Sequence, residues 1–190
     1  MTRLHKFSAI LLALVLLSSS LSSCFFKTAK TDESSSESIG TQGNTGEITT
    51  GKTVSVSKTK VTPEGDIITV DKSGSPLDGF ELTVPPDSYS DDLSFKISYA
   101  PITKQTFGDA INPVSPLISI DNGGEYSNEP MYVKVPVKVP EGYFAMGFYY
   151  DDDTGKIEGM PLVAFDNESV TVCTRHFSDI FISMIQEKLL

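Results

Sequence analysis

Tryptophan is absent from this chain of 190 residues, and histidine and cysteine occur only twice each. His5 falls in a segment that we predict to be removed, which leaves His176 as the single histidine of the mature protein. One histidine argues against most hydrolase triads, and there is no second thiol or histidine cluster to complete a zinc site. No glycine-rich phosphate loop appears either. We therefore predict a protein that is not an enzyme and uses no cofactor.

Basic residues are scarce as well, because 15 Lys and Arg stand against 25 Asp and Glu, for a formal charge of −10. Arg3 and Lys6 leave with the predicted signal, so the mature chain is more acidic still. Such a surface repels phosphate backbones and anionic lipid head groups. We expect no nucleic-acid partner, and we expect any membrane attachment to come from a lipid.

The chain also lacks a long apolar run. Residues 7–17 are apolar except for Ser8, and they follow a basic start. A membrane-spanning helix needs roughly 20 apolar residues, so this run fits the core of a secretory signal. Residues 1–23 are predicted to be a signal peptide.

The tetrapeptide Leu21-Ser22-Ser23-Cys24 resembles the lipobox of bacterial lipoproteins. The resemblance implies cleavage just before Cys24 and fatty acyl chains, including palmitate, on that residue. Ser23 departs from the Gly or Ala that is more common at its position. Two acyl chains anchor a protein far better than one, because each buried CH₂ contributes about 0.8 kcal/mol. The implied location is the extracytoplasmic face of the cell membrane; an ordinary cleaved signal or an uncleaved anchor are the alternatives.

A polar segment follows the cysteine. Between residues 27 and 53 the only apolar side chains are Ala29, Ile39 and Ile48, and Ser, Thr, Gly and Glu dominate. Such a segment buries too little surface to offset its ordering entropy. We predict that residues 24–53 form a flexible, disordered linker.

Period-two alternation of apolar and polar residues begins near Thr53, which is typical of half-buried strands. Turn-forming clusters rich in Pro, Gly, Asn and Asp separate the runs. Many short strands at near-regular spacing predict an all-β fold, an antiparallel β-sandwich over residues 54–183. The predicted strand segments are residues 54–56, 67–70, 80–84, 93–99, 117–120, 131–139, 144–150, 170–174 and 177–182.

Two local expectations accompany this fold. Pro136 interrupts the longest alternation, and because proline lacks a backbone donor, we expect its strand to lie at a sheet edge. The C-terminal tail, residues 184–190, follows the domain, and residues 183–190 are predicted to form a frayed helical turn.

Four motifs resemble those of ZU-five domains, which occur in ankyrins, netrin receptors and many bacterial surface proteins. The resemblance spans about residues 75–183 and departs from the family at Asp87-Ser88-Tyr89. It implies a β-sandwich used for protein–protein contact or as a spacer, without implying one ligand. The motifs are Phe80-Glu81-Leu82-Thr83-Val84-Pro85-Pro86, Ser115-Pro116-Leu117-Ile118-Ser119-Ile120, Glu129-Pro130-Met131-Tyr132-Val133-Lys134-Val135-Pro136 and Thr174-Arg175-His176-Phe177-Ser178.

The triplet His176-Phe177-Ser178 is a candidate self-cleavage site. It is similar to the His-hydrophobic-Ser/Thr triplets with which some death-domain adaptors and adhesion receptors cut their own backbone. By the same chemistry, Ser178 of this chain would attack the Phe177 carbonyl while His176 takes the proton. The alternative is a final strand with Phe177 in the core and Ser178 at a bend, and this structural interpretation is the one we favour.

Two further features could have a function, but we favour a structural interpretation of each. Asp151 and Asp153, two alternate carboxylates before a glycine, could hold Ca²⁺, but the rest of an EF-hand pattern is missing and a solvated hairpin turn explains them. Cys173 lies three residues before His176, yet its place in an alternating strand predicts a buried, inert thiol. The sequence thus predicts a lipid-anchored β-sandwich module that contacts an envelope protein or a glycan, or acts as a spacer, with self-processing between Phe177 and Ser178 as the alternative.

Overall fold

The structure is a computed structural model, and it describes residues 45–186. The predicted signal peptide, Cys24, the first part of the predicted linker and residues 187–190 lie outside the described residues. The described part of the chain forms thirteen strands and no helix. Accordingly, nothing in residues 45–186 is a helix long and apolar enough to cross a membrane.

Two antiparallel sheets and one two-stranded ribbon make up the fold. In the six-stranded sheet the spatial order is β10 (Lys156–Gly159), β9 (Tyr143–Asp151), β13 (Asp179–Gln186), β7 (Leu117–Asp121), β5 (Leu93–Ala100) and β2 (Val54–Val61). In the five-stranded sheet it is β11 (Leu162–Phe165), β12 (Val170–Thr174), β8 (Met131–Val135), β4 (Phe80–Val84) and β3 (Asp66–Val70). The ribbon pairs β1 (Ile48–Thr50) with β6 (Ile102–Gln105).

The main core lies between the two sheets, where alternate residues of both pack together. Phe95 and Ile118 of the six-stranded sheet are fully buried, as are Phe80 and Val133 of the five-stranded sheet. Complete burial of such a side chain contributes about 1.5–3 kcal/mol, so the alternation read from the sequence is the main source of stability. The predicted all-β antiparallel sandwich is confirmed.

A second, smaller apolar cluster covers the outer face of the six-stranded sheet. Phe148 and Tyr150 of β9 belong to it, with Phe181 of β13, and the ribbon residues Ile48 and Ile102 pack on top. The opposite face of β9 faces the other sheet, because a Cβ on Gly147 would lie 2.6 Å from Val172 Cγ1. Phe148 and Tyr150 therefore point away from the main core, toward the ribbon, whereas Tyr143 and Tyr149 of the same strand pack against the main core.

The ordered domain begins earlier than predicted. Residues 48–50 fall within the predicted linker of residues 24–53, yet they form β1 and pair with β6. Gly46 N also donates to Gly155 O at 2.8 Å. The prediction of a linker as far as residue 53 is wrong for this stretch, because backbone pairing with a distant strand compensates for its polar side chains.

The prediction of an edge strand at Pro136 is also wrong. The strand β8 ends at Val135, so Pro136 removes no ladder donor. Both neighbours of β8 are in place, since Val133 pairs with Leu82 on one side and with Val172 on the other. The alternation beyond residue 135 continues in extended chain, where Val137 and Val139 are still buried.

At the C-terminus the last strand, β13, continues to Gln186. The predicted boundary at residue 183 and the predicted helical turn are therefore wrong for residues 184–186. Met184 pairs with Ala145 and is buried in the main core, which holds this segment in the sheet.

Candidate functional site

Three connections meet at one end of the sandwich: residues 85–92 between β4 and β5, residues 122–130 between β7 and β8, and residues 175–178 between β12 and β13. Asn128 N donates to Ser88 O at 2.9 Å, and Ser127 N donates to Arg175 O at 2.8 Å. The guanidinium of Arg175 also donates to the carbonyl oxygen of Asn128. These three hydrogen bonds fix the middle connection against both of its neighbours.

A stack of three rings stands at this end. His176 lies against Tyr149 with ring centroids 4.7 Å apart and an angle of 21°, and against Tyr126 with centroids 5.3 Å apart and an angle of 38°. Tyr149 is half-buried beside the core, whereas Tyr126 is 71% exposed. The stack therefore leads from the core out to a tyrosine ring in solvent.

The hydroxyl of Thr174, itself 4% exposed, holds the base of this stack. Thr174 Oγ1 accepts from Tyr149 Oη at 2.6 Å and from His176 N at 3.1 Å, and it donates to His176 O. All of its hydrogen-bonding capacity is used, so Tyr149 and the His176 backbone are fixed to one atom. Burial raises the pKa of Tyr149, which therefore remains a neutral donor.

A polar cleft of about 340 Å³ opens beside Tyr126, between the first two connections. Two carboxylates, three hydroxyl-bearing side chains and an amide are among the groups that line it. These residues are Ser88, Ser90, Asp91, Glu125, Tyr126 and Asn128. No basic side chain lines the cleft.

Ser88 is among the residues that line the cleft, but its hydroxyl oxygen is buried and does not open into the cleft. Ser88 is 2% exposed, and its Oγ is the one buried side-chain oxygen or nitrogen of the described residues that has no hydrogen-bond partner. Its neighbour Asp87 has a φ of 62°, the one positive φ outside glycine among residues 45–186. Buried polar groups are nearly always paired, and backbone strain of this kind concentrates at binding sites.

Tyr89 connects the cleft to the core. Its hydroxyl accepts from Asn122 Nδ2 at 3.0 Å and donates to Met131 Sδ at 3.3 Å. Its ring lies edge-on to Phe95, with centroids 5.9 Å apart. Burial raises the pKa of Tyr89. Asn122 Nδ2 also donates to Glu125 O at 2.8 Å, so the same amide shapes the connection that carries Tyr126.

The self-cleavage triplet lies on the third connection. The imidazole of His176 is engaged in the ring stack, Phe177 packs edge-on to Phe95 with centroids 6.0 Å apart, and Ser178 is exposed. The described residues show no hydrogen bond between His176 and Ser178 that would activate the hydroxyl. The structure thus brings the three residues to one connection without joining base and nucleophile.

The acidic turn forms as a cluster. The carboxylates of Asp151, Asp152 and Asp153 lie within 4.8 Å of one another, and all three residues are exposed. Asp151 Oδ1 accepts from the backbone N–H groups of Asp153 at 3.0 Å and Thr154 at 3.1 Å. Hydrogen bonds from Thr154 lower the pKa of Asp151. The cluster therefore has a role in closing the turn between β9 and β10.

The other sequence candidates are spread through the chain. Cys173 is 3% exposed, as its alternating position predicts. Cys24, the predicted lipidation site, lies outside the described residues. The sequence singled out His176 but missed Tyr126 and Ser88. The available signal was an aromatic residue in an otherwise polar connection, directly after the Asn122-Gly123-Gly124-Glu125 turn.

A smaller polar pocket, of about 190 Å³, lies on the outer face of the six-stranded sheet beside the ribbon. Thr50, Ser98, Ser119 and Asp179 are among its lining residues. Burial raises the pKa of Asp179, and a hydrogen bond from Ser119 opposes this by a smaller amount.

No protein-family model matches the chain, and no curated protein matches it either.

Proposed function

We propose that this protein is a lipid-anchored, non-enzymatic surface module that binds a protein or a glycan through the end of its sandwich. The observation that carries the proposal is Tyr126, a ring that is 71% exposed and yet held against His176. The cleft beside it supplies polar groups, and rings with adjacent polar groups are the usual composition of binding surfaces.

The ring stack favours binding because it orders Tyr126 in advance. Immobilising a flexible side chain on association costs about 0.5–1.5 kcal/mol, and a ring already packed against His176 avoids part of that cost. The order is transmitted from the core through Tyr149 and Thr174, whose hydroxyls are 2.6 Å apart. The exposed ring is thus part of a rigid surface.

The anchor is proposed from the lipobox alone. Acyl chains on Cys24 would hold the module at the extracytoplasmic face of the cell membrane, and the polar residues before β1 would space it from the bilayer. Metabolic labelling with a fatty acid tests this part. We expect label on the wild type and none on Cys24→Ala, which should leave the membrane fraction; label or membrane retention in that variant would contradict the anchor.

Kinship with ZU-five domains is also part of the proposal, and it is supported by where the four motifs lie in the fold. The first three motifs include the strands β4, β7 and β8, and the fourth ends β12 and carries His176. In that family the sandwich is used for contact with other proteins or as a spacer, which is in keeping with a binding role.

Photocrosslinking in cells tests the binding surface. A benzophenone amino acid replaces Tyr126 in the full chain, and a matched variant carries it at Phe165, which is 39% exposed. Phe165 pairs with Val170, at the opposite end of β12 from Thr174. We expect a discrete adduct from position 126 and none from position 165. Equal crosslinking from both positions, or none from position 126, would contradict the proposed binding surface. Turnover of a small substrate by the pure protein would contradict the non-enzymatic role.

A further inference from the structure

We propose that the pocket beside the ribbon, which Asp179 lines, binds a primary alkylammonium group of a small amine or of a lysine side chain. This pocket shares no lining residue with the cleft beside Tyr126, so it is a second site, separate from the proposed binding surface. Three features of the pocket support this ligand: a half-buried carboxylate without a cation, an apolar row beside a polar one, and a small volume.

The alternation of the strands directs the carboxylate of Asp179 into the pocket. Ile180 and Ile118, which pair with each other, are fully buried in the main core. Because successive side chains of a strand point to opposite faces, Asp179 and Ser119 point to the outer face, where the pocket lies. Ser119 is the one hydrogen-bond donor to Asp179 among the described side chains, and neither carboxylate oxygen is a buried atom without a partner. At least one oxygen therefore remains open to the pocket.

The charge around the carboxylate calls for a cation. No ion pair among residues 45–186 includes Asp179, and no basic side chain lines the pocket. Burial, and more weakly the negative charge of Asp152, raise the pKa of Asp179. A bound cation would offset both costs, whereas an anion would add a repulsion and a neutral ligand would leave the charge without compensation.

The sheet side of the pocket distinguishes an alkylammonium group from a metal ion. Ser98 pairs with Ser119 across β5 and β7. Two residues further along the same strands, Ala100 pairs with Leu117. The apolar row therefore lies about 7 Å from the polar row that ends at Asp179. An ammonium group donates three hydrogen bonds to a carboxylate and hydroxyls, and a four-carbon stem, as in lysine, extends toward the apolar row.

Metal ions match this lining less well. A sodium or potassium ion has no apolar part to contact Ala100 and Leu117, which are 7% and 9% exposed. Calcium takes about six to eight oxygen ligands, mainly from several carboxylates, and this pocket offers the single carboxylate of Asp179. The combination of one charge, hydroxyl groups and an apolar row therefore selects an organic cation with N–H donors.

The volume of the pocket limits the ligand to one small group. It is about 190 Å³, below the range of pockets for drug-sized ligands, about 300–1,000 Å³. Thr50 and Thr53, both exposed, add two hydroxyls where the chain leaves the ribbon. A single aminoalkyl chain is of the right size, and larger ligands are excluded.

A ¹H–¹⁵N NMR titration of the full chain in detergent tests the proposal at pH 7. The probes are n-butylammonium and the methylamide of Nα-acetyl-lysine, each added to about 50 mM at constant ionic strength. We expect saturable shifts of the amide signals of Ser98, Ser119 and Asp179, with a Kd on the order of millimolar. Tighter binding of the lysine derivative would identify a protein as the source of the group, and tighter binding of n-butylammonium would identify a small amine.

Three further solutes test the chemistry of recognition. Uncharged 1-butanol should bind at least tenfold more weakly than n-butylammonium, because it lacks the charge. Methylammonium should bind at least fourfold more weakly, because it lacks the stem and each buried CH₂ contributes about 0.8 kcal/mol. Replacing sodium chloride by tetramethylammonium chloride as the background salt should change the affinity by less than about twofold.

The matched variants are Asp179→Asn and Asp109→Asn, which each remove one carboxylate. Asp179→Asn should weaken n-butylammonium at least tenfold, whereas Asp109→Asn, at an exposed position, should leave it unchanged. The first variant removes a half-buried charge, so it should remain folded, and its NMR spectrum shows this directly. Ser119→Ala should weaken binding about threefold, which gives a second variant that keeps the charge.

Several results would overturn the proposal: no saturable shift with either amine, equal affinity in Asp179→Asn and the wild type, equal binding of 1-butanol, or strong competition by sodium. Each of these leaves the crosslink from position 126 untouched, because the two sites have no residue in common.

Discussion

The imidazole of His176 and the phenol ring of Tyr149 are stacked, with centroids 4.7 Å apart and planes inclined by 21°. A histidine packed in this way has a structural role at the base of an exposed tyrosine. Self-cleavage would instead require the imidazole to accept the Ser178 proton, and it would be helped by a strained backbone at Phe177. Phe177 has no positive φ.

We therefore expect the chain to remain uncut between Phe177 and Ser178. Denaturing mass spectrometry of the purified protein should show no fragment that ends at Phe177 or begins at Ser178, and Ser178→Ala should give the same pattern. A fragment that begins at Ser178 in the wild type and disappears in the variant would establish self-processing and refute this expectation.

The hydroxyl of Tyr149 should contribute measurably to stability. Tyr149→Phe removes the 2.6 Å bond to Thr174 Oγ1 and leaves the ring stack in place. We expect a loss of about 0.5–1.5 kcal/mol in the free energy of unfolding, measured by chemical denaturation. Tyr126→Phe is the matched control, because its exposed ring should change stability by less than about 0.5 kcal/mol. Equal effects of the two changes would show that the Thr174 bond contributes nothing.

Asp179 should make the protein less stable as the pH rises. Burial raises the pKa of its carboxyl above 3.8, so in the acidic range the folded state retains a proton that the unfolded state has lost. Its contribution to stability is therefore fully present below pH 3.8 and is lost as the pH rises through the higher folded pKa. Above that pKa a charged carboxylate remains partly buried at a cost.

The variant Asp179→Asn removes that charge. Denaturation curves should show it to be more stable than the wild type at pH 7, with the difference shrinking as the pH approaches 3. Asp109→Asn, at an exposed carboxylate, should change stability by less than about 0.5 kcal/mol throughout. A variant that is less stable than the wild type at pH 7 would show that the hydrogen bond from Ser119 outweighs the burial.

The strands that could be predicted from the sequence are those whose signal is local. In β4, Phe80, Leu82 and Val84 alternate with polar residues and bury their side chains between the sheets. In β9 the same alternation predicted a strand but not which core its aromatic residues would enter, because that depends on the ribbon outside. The strands β1, β6, β10 and β11 are too short to show a clear alternation. Pairing across a distant part of the chain decides β1 and β6, whereas β10 and β11 form hairpins with their neighbours β9 and β12.

The candidate site was predictable only in part, for the same reason. His176 stood out as the single histidine after the predicted signal peptide, but its contacts with Tyr126 and Tyr149 join three separate parts of the sequence. The unpaired state of the Ser88 hydroxyl depends on everything packed around it. Neither feature has a signal in the local pattern of residues.

Gly65 and Gly74 have the same φ of +80°, so substituting each of them separates the effect of backbone strain from the effect of steric crowding. A Cβ on Gly65 would lie 2.5 Å from Val84 O and 2.7 Å from the carbonyl carbon of Pro85, where the connection to Ser88 begins, whereas a Cβ on Gly74 would meet nothing within 4 Å. Gly74→Ala should therefore lower the free energy of unfolding by about 1 kcal/mol, because only the backbone angle is unfavourable for alanine. Gly65→Ala should lower it by about 3 kcal/mol or more, because its Cβ would also collide with the backbone. Chemical denaturation of both variants measures the difference; equal losses would mean that Gly65 is required for its backbone angle alone.

The ribbon should decide where the stable domain begins. Ile48 packs on the outer cluster, and its backbone N–H donates to Tyr150 Oη at 3.3 Å. A soluble version that starts at residue 54 loses this apolar cover and all of the pairing between β1 and β6. Its free energy of unfolding should therefore be about 2–3 kcal/mol lower than that of a version that starts at residue 45. In the longer version, Ile48→Ala should reproduce only the apolar part of the loss, because the backbone bonds of β1 remain. If both versions unfold at the same denaturant concentration, β1 adds nothing to the sandwich, and the domain begins at β2.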